Sequence, residues 1–126
     1  MSVKYVCTEK APAAVGPYSQ AVKTGNLVFI SGQLPLDPKT GEMVGGEAAE
    51  QAARCMENIL AVLNEERMDA ANIVKVTIYL QDMDDFGSVN EVYSSFFKQN
   101  YPARVCIEVA GLPKKALVEI DAIAVS

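Results

Sequence analysis

The sequence predicts an α+β domain, a mixed β-sheet with two helices packed on one face, and three observations carry that prediction. Short runs in which apolar and polar residues alternate with period two mark strands. Two longer stretches repeat their apolar residues every three or four positions and mark amphipathic helices. These runs fall in the order β-β-β-α-β-α-β-β, in which each helix can serve as a crossover between parallel strands. The 126 residues, 50% hydrophobic and 21% charged, show no linker, internal repeat or low-complexity stretch and read as one domain, 1–126.

Residues 3–7 make a short first strand, and the chain then loops through Pro12 to Gly16-Pro17. Tyr18 opens a second strand over 18–23, which Gly25-Asn26 turns back into a third over 27–32. Asp37-Pro38-Lys39-Thr40-Gly41 is a loop of turn formers. Ala52, Cys55, Met56, Ile59, Val62 and Leu63 then define a helix over about 47–67, with Glu47 and Glu50 suited to its first turn. Val74, Val76, Ile78 and Leu80 alternate with Lys75, Thr77 and Tyr79 in a fourth strand. Asp84 or Asp85 can cap a second helix, whose stripe of Phe86, Val89, Val92, Tyr93, Phe96 and Phe97 reads as core. Two helices cover one face of such a sheet only, and residues such as Phe29 or Tyr79 remain on the other. Association between subunits is therefore expected to cover it.

The last two strands carry the chemistry. Val105, Ile107 and Val109 alternate with Arg104, Cys106 and Glu108, and Val118, Ile120, Ala122 and Ala124 alternate with Glu119 and Asp121. The Gly- and Pro-bearing connector Ala110-Gly111-Leu112-Pro113-Lys114-Lys115 fits a hairpin. If both apolar faces share one core, the numbers of opposed residues must sum to an odd number, for example 225, which sets Cys106 opposite Glu119 and Arg104 opposite Asp121 with opposed Cβ atoms about 5 Å apart. An arginine, a thiol and a carboxylate then reach one small ligand. In the competing reading Arg104 simply pairs with Asp121 and Cys106 is a packed, inert thiol.

Composition removes other functions. A net charge of −5 leaves no basic stripe for a phosphate backbone or an acidic lipid surface, so neither nucleic acid nor membrane is an expected partner. Cys7, Cys55 and Cys106 form neither a disulfide framework nor a paired metal motif, which suits a reducing, cytoplasmic setting. Lys4, Thr8, Glu9 and Lys10 interrupt any signal-like apolar run. The absence of histidine excludes Ser-His-Asp and Cys-His sites and the usual histidine-ligated zinc sites, so no metal is expected and proton transfer falls to carboxylates, Tyr, Cys, Lys or water.

Five motifs in order resemble one family, the reactive intermediate deaminases of the RidA or YjgF type. They are Ala11-Pro12 with Gly16-Pro17-Tyr18-Ser19-Gln20-Ala21; Ser31-Gly32-Gln33-Leu34-Pro35 with Thr40-Gly41-Glu42; Asp82-Met83-Asp84-Asp85-Phe86 with Val89-Asn90; Pro102-Ala103-Arg104 to Pro113; and Val118-Glu119-Ile120. The resemblance implies a chorismate mutase-like α+β fold, a homotrimer with ligand clefts between subunits, and cofactor-free hydrolysis of 2-imino acids to 2-keto acids and ammonia. Carried onto this sequence, it makes Arg104 the bidentate ligand of the substrate carboxylate, Glu119 the acid that orients water, and Cys106 a neighbouring contact through backbone or thiol. It places Tyr18, Ser31, Gly32 and Asn90 in the pocket. Asp121 departs from the glutamate of many relatives, and Val105 is bulkier than the small residue often found there. Two rivals stand beside this reading: a non-catalytic binder of small carboxylates, which needs Arg104 but not Glu119, and the ribonuclease or translation-inhibitor role proposed for some relatives.

Overall fold

In the computed structural model, which describes residues 2–126, the elements follow the expected order. They are β1 (Val3–Val6), β2 (Ala21–Thr24), β3 (Leu27–Gln33), α1 (Ala48–Glu65), β4 (Ile73–Leu80), α2 (Phe86–Ser94), β5 (Ala103–Glu108) and β6 (Val118–Val125). All six strands form one sheet in the order β1-β2-β3-β6-β4-β5. Among the described residues only the β4–β5 pair is parallel. Both helices cross over between parallel strands: α2 joins the neighbours β4 and β5, and α1 joins β3 to β4 across a slot that β6 fills.

That slot overturns the terminal hairpin. The segment between β5 and β6 passes over β4, so β6 pairs with β3 and β4 and never with β5. A β5–β6 pair would leave the slot unfilled, whereas the inserted β6 makes ladders on both sides. The backbone groups that β6 points to either side are then both paired, as those of a central strand must be.

The alternation of β6 is as expected: Val118, Ile120, Ala122 and Ala124 are buried against the helices, with Glu119 and Asp121 on the other face. In β5 the faces are reversed. Val76 and Ile78, both fully buried, pair in register with Arg104 and Cys106, so the polar side of β5 lies under α2. Val105 and Ile107 lie on the open face, 42% and 40% exposed. An edge strand has a helix over one side only, and here α2 offers polar and aromatic partners to the arginine there.

The core is the space between this sheet and the apolar stripe of α1, where Ala52, Cys55, Met56, Ile59, Val62 and Leu63 are buried. Glu47 is the N-cap of α1, and its N–H donates to Glu50 Oε1 at 3.4 Å. Asn58 is buried and donates through Nδ2 to the carbonyls of Leu34 and Leu36, at 3.1 and 3.0 Å, fixing the loop after β3. Asp85 is the N-cap of α2 without a side-chain cap bond, while Asp82 accepts from the Asp84 N–H at 2.9 Å in the preceding turn.

The β2–β3 turn is Gly25-Asn26, with Gly25 supplying the positive φ of +59° that such a short hairpin requires. β2 is shorter than expected, because residues 18–20 belong to a loop. Buried Gln20 holds that loop: Oε1 accepts from the Thr8 N–H at 2.7 Å, and Nε2 donates to the Pro12 carbonyl at 2.8 Å and to those of Thr8 and Ala11. No helix among the described residues is long and apolar enough to cross a membrane.

Candidate active site

The candidate side chains fall into two groups on opposite faces of the sheet. The first surrounds an irregularity in β3. Ile30 pairs with Ala122 and Gln33 with Ile120, so Ser31 and Gly32 together oppose Asp121, a β-bulge of the kind that re-aims side chains beside active sites. Ser31 is anchored to the loop before β2, its Oγ donating to the Ser19 carbonyl at 2.6 Å and its N–H to the Gln20 carbonyl at 3.0 Å. This ties the Tyr18 segment to the bulge. Tyr18 is half-exposed, accepts from the Val15 N–H at 3.3 Å, and borders a cavity of about 770 Å³ with Cys7, Ser19 and Lys39.

The Glu119 side chain packs against the bulge at Gly32. A Cβ at position 32 would lie 2.9 Å from the Glu119 carboxyl carbon and collide with Oε2, so only glycine leaves room for this carboxyl. Desolvation in this half-buried position, followed by the charge of Asp121, pushes the Glu119 pKa up. On the neighbouring strand β4, Tyr79 pairs in register with Glu119 and donates its hydroxyl to Asp121 Oδ2 at 2.8 Å. That hydrogen bond, with burial and the Asp121 charge behind it, raises the tyrosine pKa, so Tyr79 stays a donor.

The second group lies at the free edge of the sheet, on β5 beneath α2. Arg104 donates through Nη1 to Asn90 Oδ1 at 2.6 Å, and its guanidinium carbon lies over the rings of Phe86 and Tyr93. Among the described residues no carboxylate forms an ion pair with it. The structure thus overturns the Arg104–Asp121 pairing, since Asp121 accepts from Tyr79 on the other face. Cys106 shares the face and strand of Arg104. Burial raises its pKa, which the Arg104 charge only partly opposes, so it is a thiol at neutral pH and not a ready nucleophile.

One chain therefore joins Ser31, Gly32 and Glu119 at the bulge, with the Tyr18 segment tied to it through Ser31, and Asn90, Arg104 and Cys106 on the other face. It does not place Cys106 opposite Glu119. Sequence reasoning passed over Tyr79 as a partner of Asp121, and assigned Phe86 and Tyr93 to core alone. Their signal is the spacing of 86, 90 and 93, which puts them with Asn90 on one helix face. Among the described residues no group of three or more His, Cys, Asp or Glu side chains is placed to hold a metal ion.

Comparison with known proteins agrees with this arrangement of motifs. The family model described as Endoribonuclease L-PSP matches residues 8–126. A RutC family protein of Pyrococcus abyssi is 52% identical over 98% of both chains. The 2-iminobutanoate/2-iminopropanoate deaminase of Mus musculus is 48% identical over 97% of this chain and 90% of its own. The crystal structure of RidA from the Antarctic bacterium Psychrobacter superposes with a TM-score of 0.94 at 45% identity, covering 98% of this chain and 99% of that one. Sequence, fold and motif order together make this chain a member of the RidA/YjgF/L-PSP family.

Proposed function

We propose that this protein hydrolyses 2-imino acids to 2-keto acids and ammonia at a site assembled between two copies of the chain. The observation that carries the proposal is the unpaired guanidinium of Arg104, half-buried at a sheet edge and held by a neutral amide and two rings instead of a carboxylate. A cation so placed suits a ligand carboxylate, which it can engage through two parallel hydrogen bonds. The name of the mouse relative supplies the reaction class.

The chemistry asks little of the protein. The imine carbon is already electrophilic, so water adds to it, the nitrogen takes up a proton, and the resulting carbinolamine expels ammonia as its C–N bond breaks. Glu119, with its raised pKa, is suited to take a proton from the attacking water and return it to the departing nitrogen. Arg104 fixes the carboxylate, and with it the distance from carbon to water. Because Glu119 and Arg104 lie on opposite faces within one chain, the reading requires that the β5 edge of one copy meet the bulged face of another. Phe29, Val105 and Ile107, all exposed on that open face, suit burial by such a contact. A closed homotrimer is the assembly proposed.

The endoribonuclease in the family model's description is not carried over. A chain of net charge −5 without histidine is poorly suited to bind and cleave a phosphate backbone. The deaminase reading is tested by coupling a purified amino-acid oxidase to this protein and following ammonia release from short and bulky imino acids. Release faster than the spontaneous rate, lost in Glu119→Gln, supports it. Release at the spontaneous rate in the presence of normal 2-keto acid binding contradicts it, and leaves a carboxylate-binding protein.

A further inference from the structure

We propose that Tyr93 is a positioning residue for Arg104, its ring fixing the arginine in the conformer that receives a carboxylate. The proposal rests on the reading of Arg104 as the carboxylate ligand and adds a residue acting through it.

Residues 86, 90 and 93 stand at i, i+4 and i+7 on α2 and form one face of that helix. All three meet Arg104. The guanidinium carbon is 5.5 Å from the Phe86 ring centroid and 5.0 Å from that of Tyr93, within the range of a cation–π attraction, while Asn90 Oδ1 accepts from Nη1. Phe86 is 38% exposed, whereas Tyr93 is 4% exposed and enclosed by its neighbours. Tyr93 is also locked from behind, since the Phe97 ring packs on it with centroids 4.9 Å apart at 51°. Tyr93 is therefore the rigid wall of the clamp.

Its hydroxyl takes no part. That oxygen is buried without a hydrogen-bond partner, and burial pushes the phenol pKa up to about 12, so it remains neutral. The ring is what Arg104 uses. An arginine held by two rings and one amide has already lost its rotamer freedom before the ligand arrives, and the N–H edge not used by Asn90 is left for two carboxylate oxygens. Without the Tyr93 ring that ordering falls on the binding step, and affinity for a small carboxylate drops roughly fivefold.

The test compares Tyr93→Phe, which keeps the ring, with Tyr93→Met, which fills the space without one. Pyruvate binding is measured by calorimetry, imine hydrolysis by ammonia release, and the Arg104 side chain by its Nε–Hε signal in proton–nitrogen NMR spectra. That signal is assigned by its loss in Arg104→Lys among the three arginines, Arg54, Arg67 and Arg104. The expected result is that Tyr93→Phe matches the parent in every readout. In Tyr93→Met, pyruvate binding weakens roughly fivefold, KM rises with kcat nearly unchanged, and the Arg104 signal loses its ring-current displacement. Should Tyr93→Met not fold, Phe86→Met removes the exposed ring and is expected to give a smaller shift of the same signal and a smaller loss of affinity. An unmoved signal with unchanged affinity in the ringless variants overturns the proposal, as does an equal loss in Tyr93→Phe. A parent that binds no pyruvate refutes the carboxylate role of Arg104 instead, and the NMR comparison still decides whether Tyr93 holds the side chain.

Discussion

Gly32→Ala separates the site from the fold more cleanly than any change at Glu119 itself. Position 32 is outside the left-handed region, so alanine meets no backbone strain there. Its methyl group would instead lie 2.9 Å from the Glu119 carboxyl carbon and closer still to Oε2. Ordinary contact requires the carboxyl to retreat by about 1 Å, which a flexible side chain on a half-open face can do by rotating. The stability cost is therefore expected near the low end of overpacking, about 1 kcal/mol. The catalytic cost is larger, because a displacement of about 1 Å of a group that must meet water and substrate lowers turnover by roughly a hundredfold. Paired urea melts and oxidase-coupled ammonia release measure the two effects on one preparation. An alanine variant with parental turnover would show that the Glu119 position against the bulge has no catalytic role. A loss of several kcal/mol would show that Gly32 serves the fold instead.

Glu119→Gln should lose imine hydrolysis by roughly a hundredfold or more while keeping pyruvate affinity. It should also stabilise the fold at pH 7: a carboxyl whose folded pKa is raised contributes stability that is fully present below its unfolded pKa and is lost as pH rises through the folded one, so in melts the advantage of Gln should vanish in acid. Glu66, whose buried carboxylate takes Lys4 at 2.8 Å and Lys23 at 3.4 Å, has the opposite sign, since the Lys4 hydrogen bond leads in lowering its pKa. Glu66→Gln should cost about 1 kcal/mol at neutral pH, and that cost should disappear as pH falls through the folded pKa of the parent; equal melts at pH 7 would contradict it. Lys115 stands at φ +59° directly after Lys114 at +57°, so Lys115→Gly should raise stability by about 1 kcal/mol, and a lower melting temperature would refute the strain.

The order of elements and the two-layer plan were legible because each rests on local periodicity: the stripes of α1 and the alternation of β4 and β6 need no tertiary information. Two features of the site were not. Adjacency in sequence suggests adjacency in the sheet, whereas β6 fills the slot that the α1 crossover leaves between β3 and β4. The apolar side of β5 is not its core side. In a strand at a sheet edge, Val105 and Ile107 can be apolar without facing the domain's own core, and alternation alone cannot tell the two faces apart. The bulge did leave a trace, since a Ser-Gly pair inside a strand marks a break in the ladder or a close approach. The Arg104 clamp left a fainter one in the spacing of Phe86, Asn90 and Tyr93, whose bulk also served the expectation of a core stripe. The motif resemblance named Arg104, Asn90, Gly32 and Glu119 without revealing that they occupy opposite faces.

Whether Arg104 of one copy and Glu119 of another form one site is measured by complementation between two inactive variants. Arg104→Lys keeps the charge but not the two-pronged geometry, and Glu119→Gln keeps the size but not the proton acceptor, so each alone should be nearly inactive. Co-expressed in equal amounts in a closed ring with sites between neighbours, they should regenerate an intact arginine facing an intact glutamate at about a quarter of the interfaces, with a matching return of ammonia release. Mixed assemblies as inactive as their parents, verified to contain both variants, would place Arg104 and Glu119 in the same copy's site or outside any site at all.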